Sequence, residues 1–126
     1  MQVPLQHIAH VRSGDKGDTS NIAVFAHHPA LYPLLCEQLS AERVKTHYQG
    51  AIRGAVIRYE VPAIDALNFV AQGALGGGVS RSLALDQYGK ALSAALLGLC
   101  LDVPETHRVY LVGYPSARSL GKSTLS

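Results

Sequence analysis

The spacing of apolar residues predicts three β-strands in the first half of the chain. Apolar and polar residues alternate over 4–12 and over 54–61, while 21–26 is an almost wholly apolar run, and both patterns are typical of strands. About eight residues separate the first two strands, so we expect a hairpin with a wide turn between them. In the third strand Ile57 and Tyr59 are predicted to share one face of the sheet.

Apolar residues at helical spacing predict three helices. Pro29 is expected to open the first, because a proline there lacks only an N–H group that would be unpaired anyway. A short helix is predicted over 41–48 and a longer one over 87–101, which Pro104 ends. The predicted apolar helix faces consist of Leu31, Leu34, Leu35 and Leu39 in the first helix and Leu92, Ala95, Leu96 and Leu99 in the third.

The order of these elements predicts one α+β domain over residues 1–114, followed by a polar tail over 115–126. A last short strand is expected over 109–112. Strands and helices are mixed without strict βαβ alternation, which favours a sandwich of a mainly antiparallel sheet with helices on one face. A chain of 126 residues is long enough for one hydrophobic core.

Composition excludes several classes of protein. With 48% hydrophobic and 16% charged residues the chain resembles a compact globular protein, and a net charge of +2 without a basic stripe argues against nucleic-acid binding. No apolar run approaches the roughly 18 residues that span a bilayer, and the N-terminus lacks a signal peptide's features. Cys36 and Cys100 lie in apolar segments, so we expect buried free thiols and a cytoplasmic location.

The first candidate site is the polar, glycine-rich segment over residues 12–21. Its spacing does not match a phosphate-binding Walker A loop, and the alternative is a polar hairpin turn whose side chains bond to nearby backbone. The density of cations and acids favours a site that holds a carboxylate or phosphate and moves a proton. The predicted ligand-binding residues are Arg12, Ser13 and Asn21, and the predicted catalytic residues are Asp15, Asp18 and Lys16.

The second candidate site is the glycine-rich segment over residues 76–82. Three consecutive glycines are costly in chain entropy, but their exposed amides can converge on an anion or carbonyl. An arginine between two serines suits a bidentate anion; the alternative is a glycine-rich bend with a solvated arginine. The predicted binding residues are Gly76, Gly77, Gly78, Ser80, Arg81 and Ser82, together with Asn68, which precedes the segment and is expected to polarise a carbonyl with the glycine amides. We expect the two segments to meet and enclose one small anion.

The six histidines do not predict a metal centre. His7 and His10 are three residues apart on a predicted strand, so they are expected on opposite faces, and the adjacent His27 and His28 diverge for the same reason. The chain has no Cys-x-x-Cys or His-x-x-x-His motif. We therefore expect no metal centre, the alternative being a transient metal ion held by His10, Asp15 and Asp18, and we expect no cofactor.

Four segments, occurring in order, make the chain similar to a known family. Residues 10–22, 67–69, 76–83 and 86–90 resemble the signature of AtuA-like proteins, in which an Arg-Ser-Gly-Asp-Lys-Gly motif precedes Asn-Phe, Gly-Gly-Gly and Asp-x-x-Gly-Lys motifs. The resemblance covers about residues 5–101. It implies a ferredoxin-like fold and a link to the catabolism of branched acyl-CoA compounds, as in terpene utilisation.

Two functions follow from these patterns and the resemblance. The chain is either a small enzyme, or a small enzyme subunit, that acts on a carboxylate or acyl-CoA by proton transfer in the manner of a hydratase or lyase. The alternative is a non-catalytic module for assembly or metabolite binding. Since the 126 residues do not include the family's large domain, we expect a homo-oligomer or a complex with a large AtuA-like subunit.

Overall fold

The computed structural model describes residues 1–16, 19–48, 52–73 and 93–114, with only the backbone described at Asp15 and Lys16. The strands and α-helices bounded within these ranges are β1 Gln2–Pro4, β2 Ala9–Lys16, β3 Thr19–Ala26, α1 Tyr32–Gln38, α2 Ala41–Tyr48, β4 Val56–Val61, β5 Ala66–Gln72 and β6 Cys100–Asp102. Residues 93–97 are also helical. Short 3-10 helices connect these elements at Leu5–His7, Pro29–Leu31, Pro62–Ile64 and Glu105–Tyr110.

A four-stranded antiparallel sheet, in the order β2-β3-β5-β4, forms the centre of the fold. β2 and β3 form one hairpin, β4 and β5 form another, and β3 pairs with β5 between them. A separate ribbon consists of β1 and β6. This mixture of helices and antiparallel strands confirms the predicted ferredoxin-like α+β fold. β2 lies at one edge of the sheet, next to β3, the strand that follows it in the chain.

The helices cover one face of this sheet and enclose the hydrophobic core with it. Burial alternates along β3, where Ser20, Ile22 and Val24 are fully buried while Asn21 is exposed, as expected for an antiparallel strand with one covered face. The largest fully buried side chains are Phe69, Leu5, Ile8, Ile22, Leu31, Leu35, Leu39, Leu67, Leu96, Leu101, Val3 and Val24. The first predicted helix therefore buries its apolar stripe as expected, except that Leu34 is only half-buried.

The helical segments between β3 and β4 agree closely with the sequence prediction. Pro29 opens a 3-10 turn that leads into α1, and α2 occupies the predicted range. Ser40 caps α2, because its Oγ accepts a hydrogen bond from the Arg43 amide at 3.0 Å. At the other helix, the guanidinium of Arg58 donates to the carbonyls of Cys36 and Leu39, so a cation satisfies main-chain acceptors at the C-terminal end of α1.

The first polar segment is mostly strand, which corrects the predicted wide turn. β2 runs to Lys16 and β3 begins at Thr19, so most of residues 12–21 pair with each other across the hairpin. Polar side chains are compatible with a strand when one face of the sheet meets solvent. The predicted strand over 4–12 was also wrong in its bounds, because β1 ends at Pro4 and a 3-10 helix follows before β2.

The helix predicted over 87–101 ends earlier than the sequence suggested. Helical backbone stops at residue 97, and Cys100–Asp102 form β6 opposite β1. Leu96 and Leu99 are buried as predicted, whereas Ala95 is exposed. Leu99 has the apolar spacing of the helix, so the sequence predicted that the helix continues. In the structure Leu99 and Leu101 are both buried, but Leu99 reaches the core just before β6 and Leu101 reaches it from β6.

The strand predicted over 109–112 was wrong. Glu105–Tyr110 form a 3-10 helix instead, and the side chain of Val109 is 78% exposed. An ion pair of 3.3 Å joins Glu105 to Arg108, and residues three apart lie above one another in a 3-10 helix. Val109 is exposed beside this charged pair, whereas Tyr110 and Leu111 are half-buried and pack against the core without forming a strand.

Cys36 and Cys100 are free thiols, as predicted, but each is half-buried rather than buried. None of the helices in the described ranges is long and apolar enough to cross a membrane. The predicted tail over 115–126 and the predicted helix start over 87–92 lie outside the described residues. The division into a domain and a tail therefore stays a prediction.

Candidate functional site

Arg12, Asn21 and Asn68 lie on the face of the four-stranded sheet that points away from the helices. Successive side chains alternate between the two faces of a strand, so the register of the ladders defines this open sheet face. Its described positions are His10, Arg12 and Gly14 in β2, Thr19, Asn21, Ala23 and Phe25 in β3, Ala66, Asn68, Val70 and Gln72 in β5, and Ile57, Tyr59 and Val61 in β4.

Two neighbouring rows of this face carry three of the predicted ligand-binding residues. One row crosses the sheet through Arg12, Ala23, Asn68 and Tyr59, and the next through Gly14, Asn21, Val70 and Ile57. Adjacent strands are about 4.8 Å apart, so roughly 10 Å separates the backbones of Arg12 and Asn68. An extended arginine side chain spans much of that distance.

The two asparagines contact each other across β3 and β5. Asn68 Nδ2 donates a hydrogen bond to Asn21 Oδ1 at 3.4 Å. They are diagonal neighbours, a relation in which long or polar side chains of adjacent strands can meet. The bond uses one of the two amide hydrogens on Asn68 Nδ2 and leaves the amide nitrogen of Asn21 as a donor. Since Asn21 is exposed, this donor is accessible to a ligand.

Small residues leave open space between these polar groups. Ala23 separates Arg12 from Asn68 in the first row, and Gly14 stands beside Asn21 in the second. A Cβ added at Gly14 would have no atom within 4 Å. A shallow area therefore lies between one guanidinium and two side-chain amides, and its floor is formed by the backbones of β2 and β3.

Arg12 supplies the positive charge of this area. Its side chain is exposed, and in the described part of the chain it has no hydrogen bond or ion pair. Arg58 and Arg108, in contrast, donate to carbonyls or carboxylates of the protein itself. A guanidinium with unused donors in a planar fork is suited to a carboxylate or phosphate, which it can bind through two parallel hydrogen bonds.

The other end of the same two rows is apolar. Ile57 is 41% exposed and Tyr59 is 51% exposed on β4, and the half-buried Val70 lies next to Ile57 on β5. The sequence prediction placed Ile57 and Tyr59 together, which is confirmed, and the structure adds that theirs is the face opposite the helices. The open sheet face thus changes from cationic and polar at β2 to apolar at β4.

His10 is a residue of this face that the sequence analysis did not assign to the site. It lies two residues before Arg12 on the same side of β2, and its ring stacks on Phe25 with centroids 4.8 Å apart. The centroid of His27 is 6.1 Å away, and His27 Nε2 contacts the Gln6 carbonyl. The alternation along β2 already placed His10 beside Arg12, so the signal was present in the sequence.

The remaining predicted site residues do not share this area within the described part of the chain. Ser13 is half-buried on the opposite side of β2, where it pairs with Ile22. Asp15 and Lys16 pair through their backbones with Ser20 and Thr19. The other predicted site residues, which lie outside the described residues, are Asp18, Gly76, Gly77, Gly78, Ser80, Arg81 and Ser82. The meeting of the two glycine-rich segments therefore stays a prediction.

A second depression, between α2 and the β1–β6 ribbon, has cationic side chains that are already bonded. Its lining includes Arg43, His47 and Cys100. Arg43 donates to the carbonyls of Gln38 and Cys100, and His47 Nε2 donates to the carbonyl of Ala95 at 2.7 Å. These bonds hold α2 against the ribbon. The open sheet face, where Arg12 has no partner among residues 1–16, 19–48, 52–73 and 93–114, is the better candidate for a ligand.

Tyr32 has a perturbed pKa but stands on the covered side of the sheet. Burial, together with the neighbouring Cys36 and Glu60, raises the pKa of the Tyr32 hydroxyl to about 12. Its hydroxyl donates to the Ala66 carbonyl at 2.9 Å. A phenol of such high pKa stays protonated at neutral pH, so we assign Tyr32 a structural role between α1 and β5.

The described residues contain no group of three or more histidine, cysteine, aspartate or glutamate side chains placed to hold a metal ion. His7 lies in a 3-10 helix rather than in the predicted strand, and its Nδ1 and Nε2 contact the Val112 carbonyl and the Gln6 side chain. His28 Nδ1 accepts a bond from the Ala30 amide. These rings are therefore held by protein contacts.

Comparison with known proteins identifies the family. Among curated proteins and solved structures, none matches the chain significantly. The family model of the AtuA ferredoxin-like domain matches residues 3–102, a span that includes both hairpins, both α-helices and β6. The chain therefore belongs to the AtuA ferredoxin-like domain family.

Proposed function

We propose that this chain binds a carboxylate or acyl-CoA ligand on its open sheet face and acts as a metabolite-binding subunit. The observation that carries the proposal is the exposed guanidinium of Arg12, which bonds to no described residue and lies on the same face as Asn21 and Asn68. Arg12 would hold the anion, and the amide of Asn21 would donate a further hydrogen bond. Charged hydrogen bonds of this kind contribute about 1.5–3 kcal/mol each.

The apolar end of the face supports an acyl group as the rest of the ligand. An anion seated near Arg12 lies in the row that ends at Tyr59, and the next row ends at Ile57. An acyl chain that extends across the strands would cover part of both exposed side chains. Burial of apolar area is worth about 25 cal/mol per Å², so chain length should raise affinity.

Calorimetry with a homologous series tests this proposal. We expect octanoate to bind more tightly than butyrate, and octanol to bind weakly because it lacks the charge. Arg12→Gln should weaken octanoate binding at least tenfold, which corresponds to the loss of about 1.4 kcal/mol. The matched control is Arg53→Gln, an exposed arginine outside the open sheet face. Equal octanoate affinity in both variants, or no heat with any carboxylate, would contradict the proposal.

Proton-transfer catalysis is a second proposal, supported by the geometry of the β2–β3 hairpin. Asp15 pairs with Ser20 and Lys16 with Thr19, so the backbones of Asp15 and Lys16 lie next to the row through Gly14 and Asn21. Asp18 follows Lys16 by two residues in the sequence. A carboxylate there would serve as the acid or base of a hydration or dehydration, alone or beside a large AtuA-like subunit. This role requires an acyl ligand on the open sheet face.

Deuterium exchange separates catalysis from binding. If the chain is an enzyme of this kind, the α-protons of bound butyryl-CoA should exchange with solvent deuterium, as followed by proton NMR. Asp15→Asn or Asp18→Asn should then slow the exchange at least tenfold while calorimetry shows unchanged binding. Binding without exchange in the wild-type protein would leave the metabolite-binding function and remove the catalytic one.

A further inference from the structure

β4 lies at an edge of the sheet, and in the described part of the chain its only hydrogen-bonded neighbour is β5. Natural proteins protect such edges with prolines, lysines, bulges or covering segments, because an unprotected edge pairs with other strands. Within Val56–Val61 there is neither proline nor lysine, the inward-pointing Arg58 is paired with Glu60, and the alternate side chains Ile57 and Tyr59 are largely apolar and exposed. These properties are typical of a strand that accepts a partner.

The hydrogen bonds to β5 show which backbone groups face the free edge. The Ala55 carbonyl accepts from the amide of Gln72, which places residue 55 among those that bond to β5. Backbone groups alternate in direction along an antiparallel strand. Ile57, Tyr59 and Val61 therefore direct theirs to β5. Val56, Arg58 and Glu60 direct theirs outward, where a further strand would bind.

The charges on these outward residues are complementary to a second copy of the same strand. When two β4 strands run antiparallel with Tyr59 opposite Tyr59, each Arg58 stands opposite the other copy's Glu60. Shifting the register by one pairing step in either direction places Arg58 opposite Arg58 or Glu60 opposite Glu60, and like charges directly opposite each other are destabilising. One register thus pairs both charges favourably, and it obeys the two-fold symmetry that homodimers require.

Apolar contacts agree with the same register. Tyr59 would occupy a non-hydrogen-bonded pair at the two-fold axis, where side chains approach most closely, and Ile57 would face Val61. Val56 of one copy would lie opposite Pro62 of the other. The second copy's turn, which contains the 57% exposed Ile64, would therefore come beside Ala55 and Val56 of the first. Those two residues line an open depression with Ser40, Ala41, Glu42 and Lys45. An exposed apolar side chain therefore meets a concave surface.

From these observations we infer that the chain forms a symmetric homodimer through antiparallel pairing of β4 with β4, in the register that centres on Tyr59. The pairing joins two four-stranded sheets into one continuous sheet, with both open faces on the same side. Within one chain Arg58 already bonds to Glu60 at 2.8 Å. In the dimer, the Arg58 and Glu60 side chains of both copies would form a cluster of four charges. The inference does not depend on what binds at Arg12.

Charge reversal at Glu60 tests the interface. Light scattering on a size-exclusion column should give the wild-type protein twice the chain mass of 13.4 kDa, and Glu60→Lys should give the monomer mass because lysine would face Arg58. Glu105→Lys is the matched control, since Glu105 is also an exposed acid paired with an arginine, and it should stay dimeric. Circular dichroism and thermal unfolding check that both variants are folded.

Single-cysteine variants test the register itself, in a background that carries Cys36→Ala and Cys100→Ala. Tyr59→Cys brings two thiols to the symmetry axis, with Cα atoms about 4.5 Å apart, a separation that permits a disulfide. Ile57→Cys places its two thiols four residues apart along the strands, roughly 13 Å. Under mild oxidation, Tyr59→Cys should form a covalent dimer on a non-reducing gel and Ile57→Cys should not.

Three results would overturn the inference. A wild-type monomer at millimolar concentration would show that a different segment covers β4 or that the edge stays unpaired. A dimer that persists in Glu60→Lys, or one that Tyr59→Cys does not link, would place the interface elsewhere. Equal cross-linking at positions 57 and 59 would exclude the register centred on Tyr59.

Discussion

The two edge strands of the sheet each carry an arginine, and the two arginines have opposite roles. Arg58 of β4 lies against α1, where it bonds to two carbonyls and to Glu60, and its side chain is only 22% exposed. Arg12 of β2 points to the open sheet face and has no bond in the described part of the chain. One guanidinium is part of the scaffold and the other is available to a ligand.

The difference comes from what stands above each face of the sheet. On the covered face a cation must find acceptors, because a buried polar group without a partner is costly, and the last turn of α1 supplies carbonyls that need donors. On the open face water satisfies the charge until a ligand replaces it. The same residue type is therefore structural on β4 and suited to binding on β2.

The largest expected effect on stability follows from removing Arg58. Arg58→Met keeps much of the side-chain volume but leaves the Cys36 and Leu39 carbonyls without this donor, so we expect a loss of about 2–3 kcal/mol in unfolding free energy. Urea unfolding followed by circular dichroism measures it. A loss below about 0.5 kcal/mol would show that water replaces the guanidinium at α1 without cost.

A smaller effect is expected from Tyr32, which ties α1 to β5 on the β4 side of the sheet. The pKa of its hydroxyl in the folded protein is about 12, above the ordinary 10. The folded protein keeps a proton that the unfolded chain loses, so stability is complete below pH 10 and falls between pH 10 and 12. This fall follows from the linkage between proton binding and folding.

Comparison with Tyr32→Phe isolates this contribution. Both proteins lose stability in alkali as other groups titrate, but the wild type should fall more steeply between pH 10 and 12 because only it has the phenol. Urea midpoints at four or five pH values measure the difference. Parallel curves for the two proteins would mean that the hydroxyl titrates alike in the folded and unfolded states.

The smallest expected effect concerns Arg12. Because Arg12 is exposed and unbonded in the described part of the chain, Arg12→Met should change the unfolding free energy by less than about 0.5 kcal/mol. The same urea titration that tests Arg58→Met serves here. A loss as large as that of Arg58→Met would place Arg12 in the scaffold and remove the contrast between the two edges.

Local sequence patterns predicted α2, the start of α1 and the β2–β3 hairpin, because cap residues, helical spacing and short-range pairing act over a few residues. They failed at the polar segment 12–21, where composition suggested a loop and backbone pairing made it strand. They also failed at 109–112, where an apolar run proved to be the end of a 3-10 helix, Glu105–Tyr110, and the residues that follow it. In the first case, pairing across a short hairpin overrode the loop-like composition. In the second case, a contact distant in sequence contributed, because the Val112 amide bonds to the His7 carbonyl.

The candidate site was predicted in part. Arg12 and Asn21 were singled out as a polar cluster, and Asn68 by its place in a family motif, but only the pairing of β3 with β5 brings Asn68 to Asn21. Because residue 13 lies in a strand, its side chain is on the side of β2 opposite to that of Arg12. The predicted loop gave no reason to separate these two residues. His10 was missed because it was judged as a metal ligand and not as a neighbour of Arg12.

By itself the sequence determined the residue chemistry, the short helices and the family, since each depends on identity and spacing along the chain. Tertiary structure alone decided the order β2-β3-β5-β4, and with it which face is covered and why Arg58 bonds to described residues while Arg12 does not. The physical reason is that burial and strand pairing join residues far apart in the chain. The cost of exposing or burying a charge depends on those neighbours and not on local pattern.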